Sequence, residues 1–310
     1  MIDIVIVNWN SGLQLQECVE SVLEYGSDQY AQIIIVDNGS TDGSADRIDG
    51  LSGVKVIFAH DNLGFAAACN MGAAEGNSPY ILFLNPDTKI QKDSLTIPLS
   101  FMEKTENAGV GVCGAQLFDE ENKISLSCSR FPSLRRFIAV ALGLDKFPGF
   151  RGLGMAMQDW DHKSSRRVDQ VIGAFYFIRR GVFESLGGFD SRFFVYFEEV
   201  DLSLRAKQLG WDSWFLADAQ VFHAGNGCSQ QIKARRLFYS LRSRLLYGFK
   251  NFKALKAWLL LSITCTVEPI TRTVWCLISC DWTGVRNTWK AYGMLMKDMI
   301  KIIQKSNGAK

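Results

Sequence analysis

Residues 80–88 have the sequence Tyr-Ile-Leu-Phe-Leu-Asn-Pro-Asp-Thr. Five apolar or aromatic residues in a row, ended by Asn-Pro-Asp, are typical of a short strand that is buried on both faces. In an open α/β sheet, ligands bind outside the carboxyl ends of the parallel strands, and Asp87 follows directly after this strand. Pro86 favours an extended backbone at Asn85, so the side chains of Asn85 and Asp87 can both point into one crevice.

A carboxylate at this position suits a hard divalent cation, which proteins bind through one or two carboxylates together with the phosphates of a substrate. The residues after the strand also fit an ordinary turn followed by a helix cap. The rest of the sequence favours the binding site over the turn.

The composition indicates a globular protein. With 310 residues, of which 47% are hydrophobic, the chain can bury a large core in one big domain or about two average ones. The eight cysteines are scattered, with no Cys-x-x-Cys pair, so we interpret them as reduced thiols of a cytosolic enzyme. The amino terminus lacks a basic region and a long apolar core, which predicts a strand and not a signal peptide.

Charge is unevenly distributed along the chain. The net charge is +2, but residues 231–310 contain 15 Lys and Arg against 3 Asp and Glu, whereas residues 1–230 contain 19 against 29. Such a basic tail indicates an anionic partner, either a membrane or a nucleic acid.

Hydrophobic periodicity in the first 90 residues predicts strands that alternate with helices. The predicted strands are residues 3–7, 32–37, 54–58 and 80–84. The first helix has a capping-box pattern at Ser11 and Gln14 and a stop signal at Gly26, and a helix of small residues follows at 66–74. Alternation at these short intervals predicts an α/β fold with a mostly parallel central sheet and right-handed crossovers.

Each predicted strand ends in polar residues suited to a nucleotide. Asp37 can contact a ribose or base edge, Asn62 and the flexible Gly64 allow close backbone approach, and Asp87 can bind metal and phosphate. The Asp37 turn also fits a plain turn. No Gly-x-Gly-x-x-Gly follows the first strand and no P-loop motif occurs, which argues against a dinucleotide site or a P-loop.

The middle of the chain contains further strands and one irregular stretch. We predict strands at 110–115 and 124–129, and a strand at 171–179 that contains Gly173 and Ala174, small residues where another group can approach closely. Residues 130–167 show poor periodicity, which predicts either a lid over an acceptor or a surface insertion.

Three carboxylates, Glu198, Glu199 and Asp201, follow an aromatic run at the start of a helix that Gly210 ends. The helix dipole alone would explain one or two acidic residues there. Three of them behind an apolar wall indicate a carboxylate that is placed to accept a proton.

Together these motifs resemble the inverting family 2 glycosyltransferases with a GT-A fold, especially the bacterial rhamnosyltransferase-like branch. The resemblance extends over residues 2–229 and rests on these segments: Val7-Asn8-Trp9-Asn10, residues 36–44, residues 62–66, Asn85-Pro86-Asp87-Thr88, Gly173-Ala174-Phe175 and residues 193–205.

The resemblance implies roles for individual residues. Asp87 would close a metal-binding Asp-x-Asp-like motif with Asn85 as its first member, and His223 would join the metal. Glu199 would be the catalytic base, although Glu198 and Asp201 stay open as alternatives because Glu199 stands where the family usually has Asp. The donor would contact Val7, Asn8, Asn10, Asp37, Asn62, Gly64, Asn85, Pro86 and Asp87, and the acceptor would lie beside Gly173 and Ala174.

The activity implied by the resemblance is transfer of a sugar from a dTDP-, UDP- or GDP-linked donor, dTDP-rhamnose among them, with Mg²⁺ or Mn²⁺ as cofactor. The acceptor would be lipid-linked or a growing polysaccharide of the cell surface. Residues 1–229 would form the catalytic domain, and the protein would lie on the cytoplasmic face of a bacterial plasma membrane.

The tail, residues 230–310, is expected to be helical. It begins with a basic amphipathic stretch at 239–247, and its apolar run at 257–267 is shorter than the roughly 20 residues of a spanning helix. Residues suited to a membrane interface follow, namely Lys256, Trp258, Trp275, Trp282 and Trp289, and they favour an anionic membrane over nucleic acid. The alternative is a helical subdomain or a homo-oligomer interface.

Two other functions fit parts of the pattern. A sugar nucleotidyltransferase would need a Gly-rich basic loop after the first strand, and residues 8–12 contain no basic side chain. An inactive carbohydrate- or membrane-binding module would have no need of Asp87, the acidic cluster and His223.

Overall fold

The structure is a computed structural model that describes residues 1–26, 28–225 and 233–307, with side chains up to residue 304. The predicted boundary between residues 229 and 230 lies outside the described residues. The chain forms two compact units. The first contains Met1–Arg130, Trp160–Ser191 and Glu198–Cys228, and the second contains Phe131–Asp159, Arg192–Phe197 and Ser229–Lys310. The sequence did not predict that two internal segments join the second unit.

The strands are β1 (Ile2–Asn8), β2 (Tyr30–Asp37), β3 (Val54–Phe58), β4 (Tyr80–Leu84), β5 (Thr88–Ile90), β6 (Val110–Phe118), β7 (Ile124–Ser125), β8 (Cys128–Ser129), β9 (Arg166–Val168), β10 (Gln170–Val171), β11 (Phe175–Arg179) and β12 (Asp212–His223). The α-helices are α1 (Leu13–Tyr25), α2 (Phe65–Ala73), α3 (Thr96–Glu103), α4 (Leu134–Ala141), α5 (Arg180–Ser185), α6 (Glu198–Gln208), α7 (Lys233–Asn251), α8 (Ala254–Ile278) and α9 (Trp282–Asn307).

A ten-stranded sheet forms the centre of the first unit, in the order β3-β2-β1-β4-β11-β6-β12-β5, with β7 on β6 and β9 on β12. Strands β3, β2, β1 and β4 are mutually parallel, as predicted. Beyond them the sheet is mixed, because β11 runs antiparallel to β4 and β6 while β12 runs parallel to β6. The sequence predicted the parallel part and not these antiparallel strands.

The sheet is covered on both faces, which explains the continuous apolar runs. One face of β1, including Ile4 and Ile6, joins the core cluster that also contains Leu15 and Val22 of α1. On the opposite face α2 approaches so closely that a Cβ at Gly72 would lie 2.5 Å from Cγ1 of Val5. The small residues of α2 therefore allow a tight helix–sheet contact.

Several predicted local features differ from the structure. Helix α1 is preceded by Gly12 at φ 57° with no side-chain cap, so Ser11 and Gln14 do not form a capping box. The strand predicted at 124–129 is split into β7 and β8. The strand predicted at 171–179 is also split, and Gly173 and Ala174 lie in the break between β10 and β11.

The stretch 130–167 is more regular than its poor periodicity suggested. It contains α4, which is capped by Ser133, whose Oγ accepts a hydrogen bond from the backbone amide of Arg136. Two short 3-10 turns follow at Leu144–Lys146 and Pro148–Leu153. Such turns carry no apolar period of their own, which is why sequence periodicity missed them.

The second unit contains a buried ion network between two of its helices. Glu268 of α8 forms a salt bridge with Arg244 of α7 and another, of 2.8 Å, with Arg272 one turn further along α8. Burial opposes ionisation of Glu268, but the two guanidinium groups outweigh it and hold the pKa of this carboxyl below its ordinary value. The network fixes α8 against α7.

Helix α8 is longer than the predicted apolar run at 257–267. Among the described residues it is the one helix whose length and composition would allow it to cross a membrane. The core helix of a soluble protein can have the same length and composition.

A buried ion pair in the first unit gives a stability prediction. Asp3 of β1 is fully buried and accepts hydrogen bonds from Arg180 Nη2 at 2.7 Å and from the amide of Ser78 at 2.8 Å. Asp3→Ala leaves the buried guanidinium with Glu184, 3.4 Å away and 61% exposed, as its remaining carboxylate partner. We therefore expect this variant to lower the free energy of unfolding by about 3–5 kcal/mol. Urea denaturation measures the change.

The matched control is Lys55→Ala, which removes the ion pair with Glu75, where the side chains are 50% and 41% exposed. We expect this variant to change the free energy of unfolding by less than about 1 kcal/mol. If both variants lost a similar amount of unfolding free energy, the structural role of the Asp3–Arg180 pair would be contradicted.

Candidate active site

The carboxyl ends of three parallel strands lie side by side at one edge of the sheet. In register, Asn8 at the end of β1 pairs with Asp37 at the end of β2, and Ile6 pairs with Leu84 at the end of β4. The loops that follow these strands therefore meet, as the sequence predicted.

Asn8 connects the first two loops. Its Nδ2 lies 2.7 Å from Asp37 Oδ1, 2.8 Å from Ser44 Oγ and 3.1 Å from Ser40 Oγ. Asn8 is fully buried and Asp37 nearly so. Asn8 and Asp37, both predicted to contact the sugar donor, thus connect the two loops. The Asp37 carboxylate also accepts a hydrogen bond from the amide of Ser40 at 3.1 Å. The serines were not among the predicted site residues, although they lie inside the quoted motif.

The second and third loops are joined by a pair of amides. Asn38 Nδ2 donates to Asn62 Oδ1 at 3.2 Å, and Asn62 Oδ1 also accepts from the amide of Gly64 at 3.0 Å. Gly39 makes this approach possible, since its φ is 77° and a Cβ would lie 3.0 Å from the backbone of Asn62. The predicted residues Asn62 and Gly64 therefore lie beside the loop of Asp37.

The end of β4 is fixed by the break before β11. The amide of Asn85 donates to Ala174 O at 3.1 Å, and Thr88 Oγ1 lies 3.4 Å from the same carbonyl. Gly173 is half-buried. A Cβ at this position would have space around it, and its nearest neighbour would be Cε1 of Phe65 at 3.8 Å. Residues 85–88 and 173–174 are thus brought together, a contact that the sequence did not predict.

His223 reaches Asp87 through the pairing of β12 with β5. His223 is opposite Thr88 in the antiparallel register, the amide of Ala224 donates to Asp87 O at 3.0 Å, and His223 Nε2 lies 3.3 Å from Asp87 Oδ1. Neither the antiparallel strand nor this distance could be read from the sequence.

The Asp87–His223 pair fits a divalent cation. Neighbouring ligands of an octahedral cation at about 2.1 Å are about 3 Å apart, close to the observed separation. Within the described part of the chain no group of three or more His, Cys, Asp or Glu side chains is arranged to hold a metal. Two protein ligands suffice for Mg²⁺ or Mn²⁺ only where substrate phosphates and water complete the coordination.

The three carboxylates at the start of α6 have different surroundings. Asp201 is fully buried and accepts a hydrogen bond from Arg205 Nε at 2.8 Å, and Glu198 is also buried. Glu199 is half-buried. Arg205 also donates to the carbonyls of Leu186 and Gly188. The ion pair therefore gives Asp201 a structural role, because it helps to anchor α6 to the segment before it.

Burial raises the pKa of the Glu199 carboxyl above its ordinary value, although hydrogen bonds from the amides of Glu199 and Val200 oppose the shift. Among the described residues, Glu199 Oε2 is a buried oxygen with no hydrogen-bond partner. Tyr176 of β11 lies with its hydroxyl 2.8 Å from Ser203 Oγ of α6. Tyr176 pairs with Phe83 of β4, four residues before Asp87. Helix α6 is therefore connected through Tyr176 to the neighbour of the strand that leads to Asp87.

Comparison with known proteins identifies related sequences. The family model described as "Glycosyl transferase family 2" matches residues 3–158. The N-acetylglucosaminyl-diphospho-decaprenol L-rhamnosyltransferase of Mycobacterium tuberculosis is 27% identical over 235 residues, covering 72% of this chain and 76% of the relative. Rhamnosyltransferase WbbL of Escherichia coli K12 is 27% identical over 203 residues, covering 64% of this chain and 73% of the relative.

A solved structure shares the fold. The mannosyltransferase of Pyrobaculum calidifontis, determined in complex with GDP-Man and Mn²⁺, superposes with a TM-score of 0.55 over 94% of this chain and 73% of its own, at 14% identity. At this identity the likeness supports the GT-A fold alone.

The surroundings of Glu199 predict how stability depends on pH. Because the pKa of Glu199 is raised in the folded protein, the stability that its protonated form contributes is present below the ordinary Glu pKa and lost as the pH rises through the raised value. We therefore expect Glu199→Gln to match the wild type at low pH and to have the higher Tm at neutral pH. Thermal melts over a pH series measure this difference.

Glu103→Gln, at an exposed position in α3, is the control and should leave the difference in Tm near zero at every pH. A Glu199→Gln variant that is less stable than the wild type at neutral pH would show that the ionised carboxylate stabilises the fold.

Proposed function

We propose a function from one premise: the chain belongs to glycosyl transferase family 2, in its rhamnosyltransferase-like branch. It is a glycosyltransferase, and the specific proposal is that it moves a sugar from a nucleoside diphosphate donor to a lipid-linked or polysaccharide acceptor with inversion. The observation that carries this proposal is the Asp87–His223 pair at the carboxyl edge of the sheet.

The donor would lie over the loops that end β1, β2 and β3. The Asn8 side-chain amide and the backbone amide of Ser40 hold the Asp37 carboxylate at this edge. Asn10 is drawn into the same loops, because its backbone amide donates to Ser40 Oγ at 3.0 Å. Loops that are already fixed by hydrogen bonds can orient a nucleotide without a large change in their own conformation. The Mycobacterium relative is named as an L-rhamnosyltransferase, which makes dTDP-rhamnose the first donor to test.

The diphosphate would be oriented by Asp87 and His223 through a shared Mg²⁺ or Mn²⁺. When bound, the cation would neutralise charge on the departing diphosphate. Phosphate oxygens and water would occupy the remaining coordination positions of the cation.

Glu199 would act as the base. Its carboxylate would accept the proton of the acceptor hydroxyl as that oxygen forms a bond to the anomeric carbon and the bond from that carbon to the diphosphate oxygen breaks. Direct displacement inverts the anomeric centre. A raised pKa suits this role, because a base is most effective when its pKa lies near the working pH. The ion pair of Asp201 with Arg205 favours Glu199 over Asp201.

The acceptor would approach beside Gly173 and Ala174. The name of the Mycobacterium relative specifies a sugar linked through diphosphate to a polyprenol, and we propose the same chemical class here, which implies work at the cytoplasmic face of a membrane. A sugar nucleotidyltransferase is disfavoured because the loop after β1 contains no Lys or Arg.

Two substitutions separate metal binding from proton transfer. Asp87→Ala should abolish transfer and also remove the dependence of donor binding on Mg²⁺ or Mn²⁺. Glu199→Gln should lower kcat by about 10²–10⁴-fold while donor affinity stays within about twofold, because the base does not contact the donor diphosphate. Transfer assays and calorimetric titration with donor measure the two effects.

Glu103→Gln should retain wild-type values of both quantities. Full turnover by Glu199→Gln would show that a different group accepts the proton, and transfer by Asp87→Ala would show that the cation is held elsewhere.

A panel of nucleotide sugars tests the donor. With Mg²⁺ or Mn²⁺ present, a true donor at about 100 times its Kd should stabilise the folded state by about 2.7 kcal/mol. We expect dTDP-rhamnose to raise the Tm and His223→Ala to weaken the effect. If no nucleotide sugar raised the Tm with either cation, the proposed site would be wrong.

A further inference from the structure

One side of α8 exposes a row of seven residues, five of them apolar, along the helix. Leu255 is 81% exposed and Ile270 61%. The row contains Leu255, Leu259, Ser262, Thr266, Ile270, Val274 and Leu277, all classed as exposed. Successive members are three or four positions apart, so they lie on one helix face. We call these seven residues the apolar face of α8. Its opposite side, which includes Leu260 and Glu268, is buried in the second unit.

Two threonine hydroxyls on and beside this face are hydrogen-bonded within α8. Thr266 Oγ1 donates to Ser262 O at 2.7 Å, and Thr273 Oγ1 donates to Pro269 O at 2.7 Å. Both hydroxyls are satisfied by carbonyls of their own helix. This arrangement lowers the cost of taking the face out of water.

Exposed indoles mark both ends of the apolar face. Trp258 at its beginning is 50% exposed, and Trp282, just after α8, is 73% exposed. Indole side chains favour the boundary between lipid and water. Trp275 differs from the sequence prediction, since it packs against Phe147 and under Lys146 and is only half exposed.

The exposed charges of residues 233–304 are nearly all basic. Asp281 is the one exposed acidic side chain of this range, and its Oδ1 accepts a hydrogen bond from the amide of Gly284. The exposed basic side chains there are Lys233, Arg235, Arg236, Lys253, Lys256, Arg286, Lys290, Lys297 and Lys301, of which Lys253 and Lys256 lie at the start of the apolar face. An apolar helix face in such a basic stretch complements an anionic lipid surface.

We propose that the apolar face of α8 docks on a bilayer containing anionic lipid, with the helix lying in the interface. The ion network of Glu268 with Arg244 and Arg272 argues against a spanning orientation, because crossing would strip this carboxylate of a buried partner. A second copy of the chain is a poor occupant, since a symmetric contact would bring the same basic side chains together. Only residues of the second unit carry this inference, so it does not require the transfer activity.

Flotation of the full chain with vesicles tests the docking. We expect binding to phosphatidylcholine vesicles that contain phosphatidylglycerol, weakened by high salt, and much weaker binding to pure phosphatidylcholine. The double variant Ile270→Glu/Val274→Glu should bind at least about tenfold more weakly, because two apolar side chains no longer insert. Lys253→Gln and Lys256→Gln should each weaken binding about fivefold, which corresponds to about 1 kcal/mol.

Leu209→Glu is the matched control, because it adds a carboxylate at a 61% exposed leucine of the first unit. It should bind vesicles like the wild type. Quenching of tryptophan fluorescence by brominated lipid provides a second measurement on the unaltered chain and should be found only with anionic vesicles.

Three results would overturn the proposal. The first is that the wild type does not bind anionic vesicles at low salt, and the second is that the double variant binds them as tightly as the wild type. The third is a wild-type dimer that the double variant dissociates in the absence of any vesicle binding, which would assign the apolar face to a second copy. No donor or acceptor is present in these measurements, so a failure here is separate from a failure of the transfer assay.

Discussion

The parallel pairing of β1 with both β2 and β4 is the constraint on which the candidate site depends. All residues of β1 are buried, and a slip of one position would turn the Asp3 carboxylate to the other face, away from Arg180 and Ser78. The fixed register places Asn8 opposite Asp37 and brings the residues after Leu84 to the same edge. The loops can then exchange the short side-chain hydrogen bonds that keep them rigid.

Much of this half of the fold could be predicted from local pattern. Four short, mostly apolar runs with polar residues at or soon after their ends were enough to predict parallel strands with polar loops at one edge, because period and turn chemistry act over a few residues. The same reasoning identified Asp37, Asn62 and Asp87 as neighbours, whereas Asn8 was chosen through the family resemblance. It could not show that Asn8 and Asp37 contact each other, nor that two serines complete their network.

The remainder depends on contacts between residues far apart in sequence. His223 was chosen through a family resemblance, and its approach to Asp87 follows from an antiparallel strand pair that no periodicity encodes. Tyr196 and Phe197, directly before α6, have φ values of 68° and 71°, a conformation that bulky residues rarely adopt. Local propensity argues against such a turn, so a strained entry into the acidic helix could not be foreseen.

The path of the chain between its two compact units limits how the protein can be divided. Segments Phe131–Asp159 and Arg192–Phe197 belong with the C-terminal helices, and within that unit Phe137 of α4 packs against Phe252 while Ser243 donates to the carbonyl of Val195. A fragment cut after residue 229 would keep both segments and lose their packing partners. The helical tail is therefore not a detachable module, and a minimal catalytic fragment cannot be made by simple C-terminal truncation.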